Sequence, residues 1–310
     1  MDPEHPAQPA AGRRLASPSE SRRLSRRDLL AGAAGVVLSP GLCSLLAAES
    51  RTFRIGACDW SLGKRQKIAA LELAAEIGLD GVEVSFDGDP EGNLRREEVR
   101  QQYLTEAKRR NLEICSLAMG ALNRVPYASD PQAEAWVAES IDVMVKLGVR
   151  VILLPFFMRG EIKGNEALQA AVIQKLKKVA PQAEKAGVVL GLETALNAEE
   201  HLRILDAVGS PAVKVYYDVS NMLRRGNDIY REIPQLGSRI CRIHMKEPDC
   251  LLGQGAVDFV RVRRAIDAIG YQDWLVIESA RPKGRDLVAC YRENLAFLRT
   301  LFPGGKGGPA

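Results

Sequence analysis

Histidine is scarce in this chain, with three residues in 310. Multi-zinc hydrolases spend several imidazoles on each cluster, so the scarcity argues against that chemistry. Charge of one sign is lacking too. The formal net charge is only +4, spread along the chain, which gives no electrostatic footprint for nucleic acid. No Gly-x-Gly-x-x-Gly loop opens a helix, so the dinucleotide-binding open sheet has no support. Of the 6 cysteines, Cys43 falls in the leader, leaving Cys58, Cys115, Cys241, Cys250 and Cys290. This odd set contains no Cys-x-x-Cys and implies neither a disulfide framework nor a zinc knuckle. Packing is the expected role for those inside apolar runs.

What is present is an ordinary globular composition, 46% hydrophobic and 26% charged. The N-terminus is a separate object. Residues 1–28 are rich in Pro, Ala, Ser and Arg, without apolar periodicity. Ser25-Arg26-Arg27-Asp28-Leu29-Leu30 then leads into an apolar, Gly-rich run ending near Ala47-Ala48. A basic segment, an apolar run and small residues make a secretory signal. The paired arginines before two leucines resemble a twin-arginine export signal. Residues 1–50 are therefore expected to be a leader handled by the twin-arginine machinery, and the protein to be periplasmic. An uncleaved anchor is the alternative, because Leu29–Ala48 is about 20 residues long, just enough to span a bilayer. Pro40 and several glycines weaken that reading. No other stretch is long and apolar enough to span.

From Arg51 onward, short β-rich runs alternate with helical patterns. Predicted strands are Phe53–Ser61, Gly81–Phe86, Leu112–Met119, Val149–Phe157, Val188–Glu193, Val213–Val219, Ile240–Met245 and Trp274–Ser279. Amphipathic stretches such as Ile68–Ile77, Arg95–Arg110, Glu134–Leu147, Ala167–Ala186 and Phe259–Ile269 separate them. Gly148, Gly187, Gly209 and Gly270 close helices just before strands begin. Such alternation means parallel strands with crossover helices. Eight units in about 250 residues match a closed (β/α)8 TIM barrel over 51–302, against a doubly wound open sheet as alternative. The Gly/Pro-rich tail, 303–310, is expected to be disordered.

Barrel sites form at the C-terminal strand ends. Strand five ends in Glu193, strand six in Asp218, strand seven in His244 and strand eight in Glu278. A carboxylate at a strand end is commonly just a helix cap or a solvated loop group. Acids and an imidazole ending four consecutive apolar runs need a partner, and a shared cation supplies it. Two Glu, one Asp and one His suit one divalent ion such as Mn²⁺, Mg²⁺ or Co²⁺, with Zn²⁺ also admitted.

These residues carry a family resemblance that covers about Arg54 to Leu301. Its pieces are Asp80-Gly81-Val82-Glu83-Val84-Ser85, Gly191-Leu192-Glu193, Tyr217-Asp218-Val219-Ser220-Asn221 with Gly226-Asn227-Asp228, Ile243-His244-Met245-Lys246-Glu247, Gly253-Gln254-Gly255, Val257-Asp258-Phe259 and Ile277-Glu278. The chain resembles the sugar-phosphate isomerase/epimerase group with the xylose isomerase-like barrel, most closely the L-ribulose-5-phosphate 3-epimerase-like proteins. The resemblance implies that Glu193, Asp218, His244 and Glu278 bind the metal. It also implies that Glu193 and Glu278 move protons on opposite faces of a ketose or related keto-sugar through an enediolate. Oligomerisation of like chains is a further expectation carried by the resemblance.

Secondary candidates surround this set. Glu83 could hold a sugar hydroxyl or form a rim salt bridge. Asn221, three residues past Asp218, fits the pocket lining. Lys246 and Glu247 read as support or loop charges. Trp60 could stack on a sugar face or pack, and Arg124 lies where relatives have a basic loop. His5 falls in the leader, and His201, on the helix after strand five, is expected to be solvated. Two departures stand out. Gly120-Ala121-Leu122-Asn123-Arg124 replaces a His-Arg-Arg-like run, and Cys250 stands where free-ketose 3-epimerases carry arginine. With the export signal, they lead to the expectation of a non-phosphorylated sugar, keto-sugar or cyclitol. Alternatives are a lyase of keto-sugars or inososes using the same enediolate, and a non-catalytic sugar-binding barrel. An endonuclease IV-type hydrolase would need more placed histidines than His244 alone.

Overall fold

The computed structural model describes residues 53–87 and 93–304. The leader, with its paired arginines and Cys43, lies outside the described residues, as do the last six residues of the tail. Among the described residues, no helix is long and apolar enough to cross a membrane.

Eight parallel strands close into one barrel in chain order. They are β1 (Arg54–Cys58), β2 (Gly81–Ser85), β3 (Glu113–Ala118), β4 (Val151–Phe156), β5 (Val189–Thr194), β6 (Val213–Asp218), β7 (Ile240–Lys246) and β8 (Trp274–Glu278). The open-sheet alternative is excluded by the pairing of β1 with β8, Arg54 to Trp274 through Ala57 to Ile277. Around them lie α1 (Ala69–Ile77), α2 (Glu97–Arg109), α3 (Pro131–Leu147), α4 (Glu166–Ala186), α5 (Ala198–Val208), α6 (Val219–Arg224), α7 (Ile229–Leu236), α8 (Phe259–Ala268) and α9 (Leu287–Leu301).

Local chemistry sets the ends of these elements. Pro131 begins α3 behind the Asp130 carboxylate, which accepts the Gln132 amide at 2.8 Å. Gly148 ends it at φ 69°, a left-handed turn that costs glycine little. The predicted helix started at Glu134; the Asp-Pro pair moves the start upstream. The first strand is shorter than predicted. It stops at Cys58, and the chain turns through Trp60, whose carbonyl accepts the Gly63 amide.

Most of the apolar core lies between sheet and helices, where strands such as Val151–Phe156 are buried throughout. The barrel interior is filled by alternate strand residues, because side chains repeat every second position. Gly81 must lack a side chain: a Cβ there would lie 2.7 Å from a Trp274 ring carbon. The same alternation places Tyr216 with Asp218, and Arg242 with His244 and Lys246, on shared faces of β6 and β7. The C-terminal residues pack back: the Phe53 amide donates to the Pro303 carbonyl at 3.0 Å, and Phe302 is buried.

Candidate active site

Register builds the site. Asp218 on β6 is paired with His244 on β7, and Lys246 is paired with Glu278 on β8. Glu193, on β5, is one residue short of the strand end. Ligand atoms of Glu193, Asp218, His244 and Glu278 all lie within 4.8 Å of one another. His244 Nδ1 sits 3.5 Å from Glu193 Oε1, 3.4 Å from Glu278 Oε2 and 3.9 Å from Asp218 Oδ2. The structure thus brings together the four residues predicted as ligands.

Each carboxylate is held differently. Asp218 Oδ1 caps α6, accepting the Ser220 and Asn221 amides at 2.9 and 2.8 Å. The helix-cap role and the cluster role fall on separate oxygens of one side chain. Its other oxygen, Oδ2, is buried without a hydrogen bond, 3.3 Å from Lys246 Nζ, and His244 Nδ1 makes no hydrogen bond either. Glu193 Oε1 accepts one long bond from Asn221 Nδ2, at 3.3 Å. Glu278 is more heavily engaged. Trp60 Nε1 donates to Oε1 at 3.0 Å, and Lys246 Nζ donates to Oε2 at 2.8 Å.

The electrostatics follow. Burial pushes the Asp218 carboxyl up, to about 7, with Glu278 and Glu193 adding to the rise against Lys246. Burial acts on Glu278 in the same sense, but His244 and Lys246 overcome it and hold the carboxyl down, at about 2. Three converging acids and a buried imidazole nitrogen without a hydrogen bond fit a hard or borderline divalent cation.

Above this floor opens a cavity of about 670 Å³. Glu193, Glu278, Asn221, Lys246, Trp60 and Arg124 all line it, as expected from the sequence. So do Arg65, Arg224 and Arg225, which sequence reasoning did not single out. Arg225 contacts Glu161 at 3.4 Å, and Arg65 pairs with Asp87. Arg124 and Arg224 have no acidic partner among the described residues. Cys250 lines a separate cavity of about 330 Å³ beside Arg224 and Glu247. Glu247 organises the loop after β7, accepting the Gly253, Gly255 and Val257 amides at 2.9–3.1 Å.

Two expectations need correction. Glu83 does not reach the cavity. It is fully buried beneath the cluster, with Oε1 3.0 Å from His244 Nε2. It was expected at the rim, but it sits in the middle of β2, two residues before the strand ends, and so lies below the mouth. His201 is 2% exposed rather than solvated. Its ring bridges Thr194 Oγ1 at 2.9 Å and the Asn197 carbonyl at 3.1 Å. Burial lowers its pKa to about 4.

Comparison with known proteins agrees with this architecture. Residues 71–301 match the family model described as xylose isomerase-like TIM barrel. A 2-epi-5-epi-valiolone 7-phosphate 2-epimerase of Actinoplanes sp. is 29% identical over 227 residues, covering 70% of this chain and 82% of that protein. An L-ribulose-5-phosphate 3-epimerase of Salmonella heidelberg is 25% identical over 229 residues, covering 67% and 80%. Among solved structures, D-allulose 3-epimerase from Methylomonas sp. superposes with a TM-score of 0.67 at 20% identity, covering 81% of this chain and 98% of that one. The chain belongs to the xylose isomerase-like TIM barrel family.

Proposed function

We propose that this chain is a divalent-metal-dependent sugar epimerase or isomerase, working by proton transfer on a ketose or related keto-sugar. The observation that carries the reading is the convergence of Glu193, Asp218, His244 and Glu278 within 4.8 Å on the floor of the large cavity. The relatives named above are themselves epimerases. Glu193, Asp218, His244 and Glu278 would hold the ion, which supplies positive charge beside adjacent sugar oxygens and so acidifies the intervening C–H.

The chain's own groups do the rest. One of Glu193 and Glu278 removes the C–H proton, and that bond's electron pair passes into the enediolate. The other, protonated, returns a proton to the opposite face and inverts the carbon. Return to the neighbouring carbon isomerises instead. Lys246 keeps Glu278 ionised, and Asn221 orients Glu193. Trp60 walls the cavity while fixing the second oxygen of Glu278.

The basic mouth favours a substrate with an anionic far end. Arg124 and Arg224 face the cavity without acids of their own, and the Actinoplanes and Salmonella relatives have phosphates in their names, whereas the Methylomonas structure is that of a free-ketose enzyme by name. This reading stands beside the non-phosphorylated sugar, keto-sugar or cyclitol expected from the sequence, and the substrate panel below decides between them. Export to the periplasm remains part of the proposal, supported by Arg26-Arg27 and the apolar run behind them.

The test is solvent deuterium incorporation across a panel of ketoses, keto-cyclitols and their phosphates. Mn²⁺-loaded protein should label at least one of them. Chelator treatment should abolish labelling, and Mn²⁺ should restore it. No labelling anywhere in the panel would falsify the reading.

A further inference from the structure

We propose that Glu83 is the positioning residue for the His244 imidazole. By accepting a hydrogen bond from the Nε2–H, it leaves the Nδ1 lone pair aimed at the three carboxylates. The inference rests on the metal-centre reading above and concerns only this chain's own groups.

Two distances decide between the ring nitrogens. Glu83 Oε1 lies 3.0 Å from Nε2, a hydrogen-bond length. The carboxylate oxygens around Nδ1 lie at 3.4–3.9 Å, and Nδ1 makes no hydrogen bond. A neutral imidazole has one N–H to place, and only Nε2 has an acceptor in reach. The Nδ1 lone pair is then free to bind a cation.

Glu83 is itself fixed from below. Its second oxygen accepts the Ser116 hydroxyl at 2.5 Å and the Tyr216 hydroxyl at 2.6 Å. Cys58 Sγ stands 3.6 Å from Oε1. Glu83, Ser116 and His244 are wholly buried, and Tyr216 nearly so. A carboxylate held by donors from two other strands cannot swing away, so the ring plane of His244 is fixed with it. Cys58, Glu83 and His244 also make a compact trio that could itself take an ion. The experiment separates the two roles.

The chain's scarcity of histidine makes the measurement direct, since only His5, His201 and His244 contribute imidazole signals. Full-length protein carrying ¹⁵N-histidine, loaded with diamagnetic Mg²⁺ or Zn²⁺, is read by long-range nitrogen–proton correlation. His201→Gln assigns the second ring. The expected result is one bound ion per chain and a proton on Nε2 of His244. Glu83→Gln, which keeps the shape and removes the charge, should weaken Mn²⁺ binding by about 10- to 100-fold in calorimetry. Its circular dichroism should stay that of the wild type. A proton on Nδ1 overturns the proposal. So do two ions per chain with neither ring nitrogen protonated, and a folded Glu83→Gln that binds Mn²⁺ within about twofold of wild type, well short of that range. If the variant does not fold, the wild-type proton position decides alone. No sugar enters either measurement, so failed turnover bears only on the epimerase reading. A chain that binds no divalent ion overturns both.

Discussion

Asp218 and His244 are Cα partners across β6 and β7, and Oδ2 and Nδ1, neither of which makes a hydrogen bond, lie 3.9 Å apart, with Lys246 Nζ 3.3 Å from Oδ2. Both atoms are buried, and a cation between them satisfies both. Asp218 also caps α6 through its other oxygen. Asp218→Asn should therefore separate the two roles. An amide oxygen still caps, so the thermal midpoint should change little, while Mn²⁺ affinity falls at least tenfold, on the order of one lost charge-assisted contact. Asp218→Ala should lose the affinity and about 1 kcal/mol of cap stability as well. Equal loss of stability in both variants would contradict this division.

Glu193→Gln and Glu278→Gln should each lower turnover by about 10²–10⁴-fold, the usual contribution of a positioned acid or base. Single-turnover label exchange in deuterated buffer is the check. Wild-type exchange in either variant would remove that residue from the proton-transfer step.

Arg124→Gln and Arg224→Gln should raise KM for an anionic substrate about tenfold each, as expected for a lost hydrogen bond to a charged group. Turnover at saturation should hold. Neutral sugars should be handled as by wild type, and a matching rise in their KM would count against an anion-binding mouth.

His201 gives stability a pH dependence of definite sign. The folded protein keeps this ring neutral until about pH 4. The unfolded chain protonates it near its ordinary value of about 6.5. Between these values the unfolded state binds the extra proton, so stability falls as pH drops through the window, by roughly 3 kcal/mol in all. Denaturant midpoints at pH 7, 5.5 and 4.5 should fall more steeply for wild type than for His201→Gln. Parallel curves would show that the ring titrates alike in both states.

The four cluster residues were legible because each ends an apolar run, and a parallel barrel collects such ends on one rim. Glu83 stands in the middle of its strand, between Val82 and Val84, and its role was not legible. The β2–β3 register shifts between Val82 and Glu83, and no local pattern announces such a shift. His201 lies on a helix whose sequence mixes acids with apolar residues. Its burial depends on Thr194, at the end of a neighbouring strand, offering an oxygen at the right height. Arg224 and Arg225 carry no local signal: they line the mouth because the short helix α6 follows β6 directly and ends there. Local pattern thus gave the ends of elements, while what lies under or over those ends depends on packing between elements distant in the chain.

The closure of β8 onto β1 has a consequence for how the molecule tolerates change. All the cluster residues come from β5 to β8, whereas three of the groups that hold them, Trp60, Glu83 and Ser116, come from the first three strands or the turn after β1. The two halves of the barrel share the labour unequally: the second supplies every ligand atom and part of their support, and the first supplies the buried brace behind His244 and the Trp60 bond to Glu278. A C-terminal half expressed alone would carry every ligand, with Asn221 and Lys246 beside them, but would lack Trp60, Glu83 and Ser116. Damage to the opening strands should therefore surface as a defect at the far end of the chain, in an ion bound loosely by residues that are themselves intact.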